Sequence, residues 1–137
     1  MFLAFVFVSC SDDDEKVNDD SSLLVGRWAL DSIYGWDVKN GEHQEDWFEL
    51  GDNDEFLTFK ADGTGVEEIS FLEYTRDFTW SLSGDILISS LDDDNTTNTI
   101  LTLDETTLEI QSVSTYTSAN GSLWEEYQVA SYVRVEE

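Results

Sequence analysis

The chain has 137 residues, 40% hydrophobic and 13% aromatic, so one domain of ordinary size can bury a core without metal or disulfides. Thirty-one acids against six Lys and Arg give a formal charge of −25, which excludes nucleic acid because phosphate neutralisation needs a basic patch. The single Cys excludes an intramolecular disulfide, and no apolar run approaches the ~18 residues that span a bilayer.

Residues 2–8, FLAFVFV, are wholly apolar and lead straight into Ser9 and Cys10. A short apolar run ending on a small residue is the end of a secretory leader with its cleavage position. Phe7-Val8-Ser9-Cys10 resembles the lipobox of bacterial lipoproteins. The resemblance implies cleavage before Cys10, with acyl chains on its thiol and on the new amine. Phe7 stands where Leu is usual and no Lys or Arg precedes the run, so Met1 reads as a late start. Ser11, Asp12, Asp13, Asp14 and Glu15 resemble the acidic export signal behind that Cys in lipoproteins of the Bacteroidetes type. This implies the outer face of the outer membrane, with acyl chains as the contact to lipid. The alternative is a buried Cys at the start of an element, followed by a solvated acidic run. Two or more acyl chains anchor stably where one is marginal. The expected division is a signal peptide over 1–9, a lipidated acidic tether over 10–22 and a folded domain over 23–137.

From residue 24 onward, turn signals recur about every ten residues, as in Asp62-Gly63, Ser83-Gly84-Asp85, Asp104-Glu105 and Asn120-Gly121. The segments between them alternate. Phe78, Trp80 and Leu82 share one face, Leu108 and Ile110 another, and Tyr127, Val129, Val133 and Val135 a third, with Gln128 and Arg134 opposite. No helix-length pattern intervenes, which argues against a parallel α/β fold. The spacing predicts eight strands, near 24–34, 55–60, 64–73, 75–83, 85–91, 97–103, 107–115 and 123–135, and a sequential meander of eight can close on itself. Residues 35–54, GWDVKNGEHQEDWFELGDND, read as one long connection, with Asn40-Gly41 starting and Gly51 stopping a short helix.

At Gly26-Arg27-Trp28 the stretch LLVGRWALDSI resembles the Gly-x-Trp opening strand of lipocalin-like proteins, and further likeness runs through LTFKADGTG, FTWSLSGDILIS and LTLDETTLEI. The fold this implies is all-β: an eight-stranded antiparallel up-and-down lipocalin-like β-barrel with a long first loop. It also implies that Gly26, Trp28 and a late Arg, here Arg134, close one end of the barrel. The implied function is binding, with Trp36, Trp47 and Phe48 of the loop and Phe78 and Trp80 of the wall meeting a small apolar ligand in the mouth. Phe78 and Trp80 also fit a plain core. The alternative is a solid barrel that binds a protein or a glycan through its surface, as an accessory or adhesion lipoprotein.

No catalytic site is expected. Carboxylate pairs are unavoidable among so many acids, and nothing selects a facing pair of the kind glycosidases need. His43, the only histidine, lies in a polar stretch without a nucleophile motif. Residues 92–95 (DDDN) and 51–54 (GDND) offer oxygen ligands for calcium, but neither has the Gly and Glu spacing of an EF-hand loop. They read as solvated turns, so neither a metal nor a cofactor is expected.

Overall fold

The computed structural model describes residues 20–51 and 54–135. The expected signal peptide (1–9), Cys10, the acidic run from Ser11 to Glu15 and the expected tether as far as residue 19 lie outside the described residues. A short helix, α1 (Asp20–Leu24), takes in the last residues expected in the tether and leads into nine strands. These are β1 (Gly26–Lys39), β2 (Glu42–Leu50), β3 (Glu55–Phe59), β4 (Thr64–Ile69), β5 (Tyr74–Ser83), β6 (Ile86–Leu91), β7 (Asp94–Leu103), β8 (Thr107–Thr117) and β9 (Leu123–Val135). All the pairings are antiparallel; β3 to β9 follow chain order, β3 pairs with β1 rather than β2, and β9 pairs back onto β1, so eight strands close a barrel and β2 is an extra one. Closure leaves the barrel wall itself with no free edge.

Residues 35–50 are not a loop. The chain turns back at Asn40-Gly41 and pairs β2 with the upper half of β1, from Lys39↔Glu42 down to Ser32↔Leu50. Both turn residues have positive φ (49° and 86°), the geometry of the tight hairpin turn for which Asn-Gly is the strongest short signal. Asn40 also accepts the Leu123 N–H on its side-chain oxygen (2.9 Å), which ties the hairpin to β9. The expected helix start was therefore a hairpin turn, and strand pairing took the place of the helix.

One irregularity sets which side chains face inward. Leu30 pairs with Tyr132 but Ser32 with Ser131, so Asp31 is an extra residue and the register of β1 slips by one. Gly51 sits against this bulge and donates its N–H to the Asp31 carbonyl (2.7 Å). A one-residue bulge moves the whole following set of side chains to the other face. Trp28 and Leu30 point into the barrel, while Tyr34 and Trp36, which strict alternation would also put inside, point out.

The core fills the lower barrel. Leu24, Trp28, Phe59, Leu87, Ile100, Leu108 and Ile110 are buried there, with Phe78, Trp80 and Leu82 packed on them. Phe59 takes Phe78 and Trp80 edge-on, at 5.6 and 5.5 Å between ring centres. Such contacts add about 0.5–1.5 kcal/mol each beyond the area they bury. The upper side is lopsided. β7 and β8 stop pairing at Thr99↔Gln111, whereas β8 and β9 run on together to Thr117↔Leu123. With β1 and β2 they form a four-stranded ribbon, β2-β1-β9-β8, that parts from the β6–β7 hairpin above that level.

Candidate functional site

The two ends of the barrel differ in how they are closed. At the lower end Leu24, from α1, is fully buried and its carbonyl accepts the Trp28 indole N–H (2.9 Å). The Arg134 guanidinium lies over the Trp28 ring, 4.2 Å from its centre. It donates Nε to the Glu105 carbonyl (2.8 Å), Nη1 to the Val25 carbonyl (3.0 Å) and Nη2 to the Leu23 carbonyl. Gly26 is required here, since its φ is +141° and a Cβ would run into Arg134 Nη1. The Glu105 carbonyl is held in turn by the Asp104 turn. Asp104 accepts the Thr106 and Thr107 N–H groups (2.8 Å each), and these bonds hold its carboxyl below the usual carboxylate range. Among the described residues, helix, indole and guanidinium together cover the lower end.

The upper end is open over a cavity of about 290 Å³. Its apolar part is made by Leu57, Phe59, Phe78, Leu87, Leu91, Ile110 and Ala130. The polar part is Glu67 and Arg76 on β4 and β5, Ser89, Thr96 and Asn98 on β6 and β7, and Ser112, Gln128 and Tyr132 on β8 and β9. Glu67 and Arg76 are direct cross-strand partners and form an ion pair at 3.1 Å, with the guanidinium 5.5 Å from the Tyr74 ring centre. Burial, with the Glu55 and Glu67 carboxylates adding to it, pushes the Tyr132 hydroxyl well above its usual range. The hydroxyl therefore stays neutral and can donate or accept. Asn98 Oδ1 is buried with no hydrogen-bond partner among the described residues. The space is roughly twice the ~150 Å³ apolar cavity that takes up benzene, and lies near the lower end of the range for ligand pockets.

A model of the lipocalin-like domain family matches residues 24–110, more than half of the 137-residue chain. The chain belongs to the lipocalin-like domain family. Comparison with the curated proteins and with the solved structures gave no match. The all-β antiparallel barrel is the architecture this membership requires, and it fits a lipocalin-like binding protein.

Within the lipocalin-like barrel, the residues singled out from the sequence fall in different places. Phe78 lines the cavity. Trp80 lies outside the lining, packed on Phe59 with its indole N–H on the Thr64 carbonyl (2.9 Å), so it serves the core. Trp36, Trp47 and Phe48 lie on paired strands rather than in a loop, and Trp47, the partner of Gly35, lays its ring over that glycine on the ribbon face that Gln128 shares, opposite Trp36. They stand on β1 and β2 around a shallow hollow of about 490 Å³, with Tyr34, His43 and Asp46, and share no lining residue with the cavity. Trp36 stacks on its cross-strand partner Tyr127 (5.1 Å between centres, 5° between planes). Tyr127 alternates with Gln128, which faces the cavity, so Trp36 looks outward. His43 pairs with Asp46 (2.6 Å) across a second bulge, in β2 between the partners of Trp36 and Val38.

The polar lining of the lipocalin-like cavity went unnoticed in the sequence, although part of the signal was there. Stepping back by two from Leu82, Trp80 and Phe78 reaches Arg76, a charge on the inward face. On β9 the apolar face, Tyr127, Val129 and Val133, is the outer one, and Gln128, Ala130 and Tyr132 line the cavity.

Proposed function

We propose that this lipocalin-like protein is a non-enzymatic lipoprotein, anchored by acyl chains on Cys10 at the outer face of the outer membrane, that holds one small ligand in its barrel mouth. The observation that carries the binding part is the cavity. A barrel packed solid with its own side chains leaves no such space above an apolar floor, and here the floor of Phe59, Phe78 and Leu87 lies open from above. The mixed lining adjusts the ligand expected from sequence alone: an apolar body is buried below, and a polar end meets the upper wall. The anchor is supported by the sequence around Cys10, and the acids that follow it support surface export. The closed lower end, where the chain enters through α1, would then face the tether and the membrane, and the mouth would face away.

Native mass spectrometry of the full chain purified from its host tests the binding part. The expected result is a bound small molecule that is released on unfolding. Bare protein in every preparation, together with no response to added apolar probes, would contradict it. A surface role is the second reading, and one observation favours it. Tyr34, Trp36 and Tyr127 form a stacked aromatic row on the outer face of the ribbon, with Phe48 beside it 62% exposed. An exposed apolar patch of this kind marks interaction sites more often than chance. Cross-linking on intact cells separates the two, since only the surface role needs a macromolecular partner.

A further inference from the structure

The cavity wall carries two opposite charges, and they are spent on each other. Arg76 is the only cation among the described residues that line the cavity, and Glu67 occupies it directly across the β4–β5 ladder at 3.1 Å. An anionic ligand head would have to displace Glu67 from Arg76 and then sit beside the carboxylate it displaced. It would do so in a chain whose formal charge is −25. Glu67 and Arg76 keep 36% and 44% of their side-chain surface exposed, so solvent screens part of this repulsion, while the wider acidic field lowers the local concentration of anions before they arrive.

The rest of the polar wall consists of uncharged donors and acceptors: Ser89, Thr96, Ser112, Gln128, Asn98 and the neutral Tyr132 hydroxyl. Asn98 adds a buried oxygen with no partner among the described residues. A buried acceptor left unmet is costly, and a ligand hydroxyl that draws the amide round toward the cavity relieves that cost.

From this, and resting on the cavity reading above, we infer that the protein selects neutral, hydroxyl-bearing ligands with a compact ring body, and that Glu67 is the residue that rejects carboxylates. The space accommodates such a body: about 290 Å³ is roughly twice the cavity that takes up benzene. Fatty acids are therefore disfavoured by the charge of their head group.

Three probes with one body and different heads test this: naphthalene, 2-naphthol and 2-naphthoate, titrated into the full chain by calorimetry near neutral pH. The expected order is naphthol tightest, naphthalene several-fold weaker and naphthoate at least tenfold weaker than naphthol. Glu67→Gln removes the carboxylate and frees Arg76, and it should raise the naphthoate-to-naphthol affinity ratio at least tenfold. Asn98→Leu should erase the preference of naphthol over naphthalene while naphthalene still binds, which shows that the variant is folded. Naphthoate binding as tightly as naphthol in the native chain overturns the inference, as does a ratio unmoved by Glu67→Gln. If none of the three binds, the cavity reading itself falls, and the selectivity falls with it.

Discussion

Replacing Trp28 with Ala should cost the barrel about 3–5 kcal/mol, the range for truncating a large buried aromatic that its surroundings cannot refill. Trp28 has no exposed surface, and three separate elements meet on it. α1 supplies the Leu24 carbonyl, β9 supplies the Arg134 guanidinium, and β3 supplies its ladder partner Leu57. Removing the ring therefore opens a void and also leaves Arg134 without the face it lies on. Arg134→Met isolates the second effect: it keeps the bulk, leaves three carbonyls without their charged donor and should cost about 2 kcal/mol or more. Arg134→Lys should recover little, because a point-like ammonium does not match three carbonyls met by three nitrogens of one guanidinium. Urea unfolding measures each variant. A Trp28→Ala loss below about 1 kcal/mol would mean that the lower end is not held closed in the way these contacts indicate.

Filling the cavity should abolish ligand uptake while leaving the fold intact. Ser112 lines the cavity opposite Gln128 on the β8–β9 ladder. Ser112→Phe would direct an aromatic ring into existing space and take up much of the 290 Å³. Large residues cost stability when they are forced into a packed core, but filling a void is commonly neutral or stabilising. The expected result is a loss of at least tenfold, about 1.4 kcal/mol, in affinity for the neutral probe N-phenyl-1-naphthylamine, with an unfolding midpoint at or above that of the native chain. The companion variant Phe48→Ala, on the outer hollow, should leave probe affinity unchanged. Probe binding that survives Ser112→Phe but is lost in Phe48→Ala would move the site from the barrel mouth to the ribbon.

The barrel was legible because its information is local. Alternation marks a strand, Asp62-Gly63 and Asn120-Gly121 mark turns, and eight short strands in sequence have few other ways to hide their edges. The hairpin at Asn40-Gly41 carried the same local signal, and the length and polarity of the surrounding stretch drew it into a loop. Four acids among the nine residues of β2 make a strand that is polar on both faces, and such a strand shows little period-two hydrophobicity. The acids have a use there, since β2 pairs only with β1 and a charged edge discourages pairing with other chains.

The site was harder to read, for a different physical reason. Which face of a strand looks inward depends on registers counted from the closed end, and a single extra residue resets the count. Asp31 is that residue. Nothing in the run Leu30-Asp31-Ser32 marks it as a bulge, yet it makes Trp36, expected in a loop over the mouth, part of the outer aromatic row. The inward polar residues were hidden in the opposite way: Glu67, Asn98 and Gln128 look in sequence like the solvent face of ordinary strands. A cavity breaks the rule that the inward face is apolar, so periodicity alone does not find one.

Chemical-shift mapping by NMR, with N-phenyl-1-naphthylamine titrated into the full chain, goes most directly to where a ligand sits. A ligand in the barrel mouth predicts saturable shifts at Phe78, Leu87, Ile110 and Ala130, which line the cavity, with Tyr34, Trp36 and Phe48 left undisturbed. Shifts confined to those three ribbon residues, with the cavity residues unmoved, would contradict it.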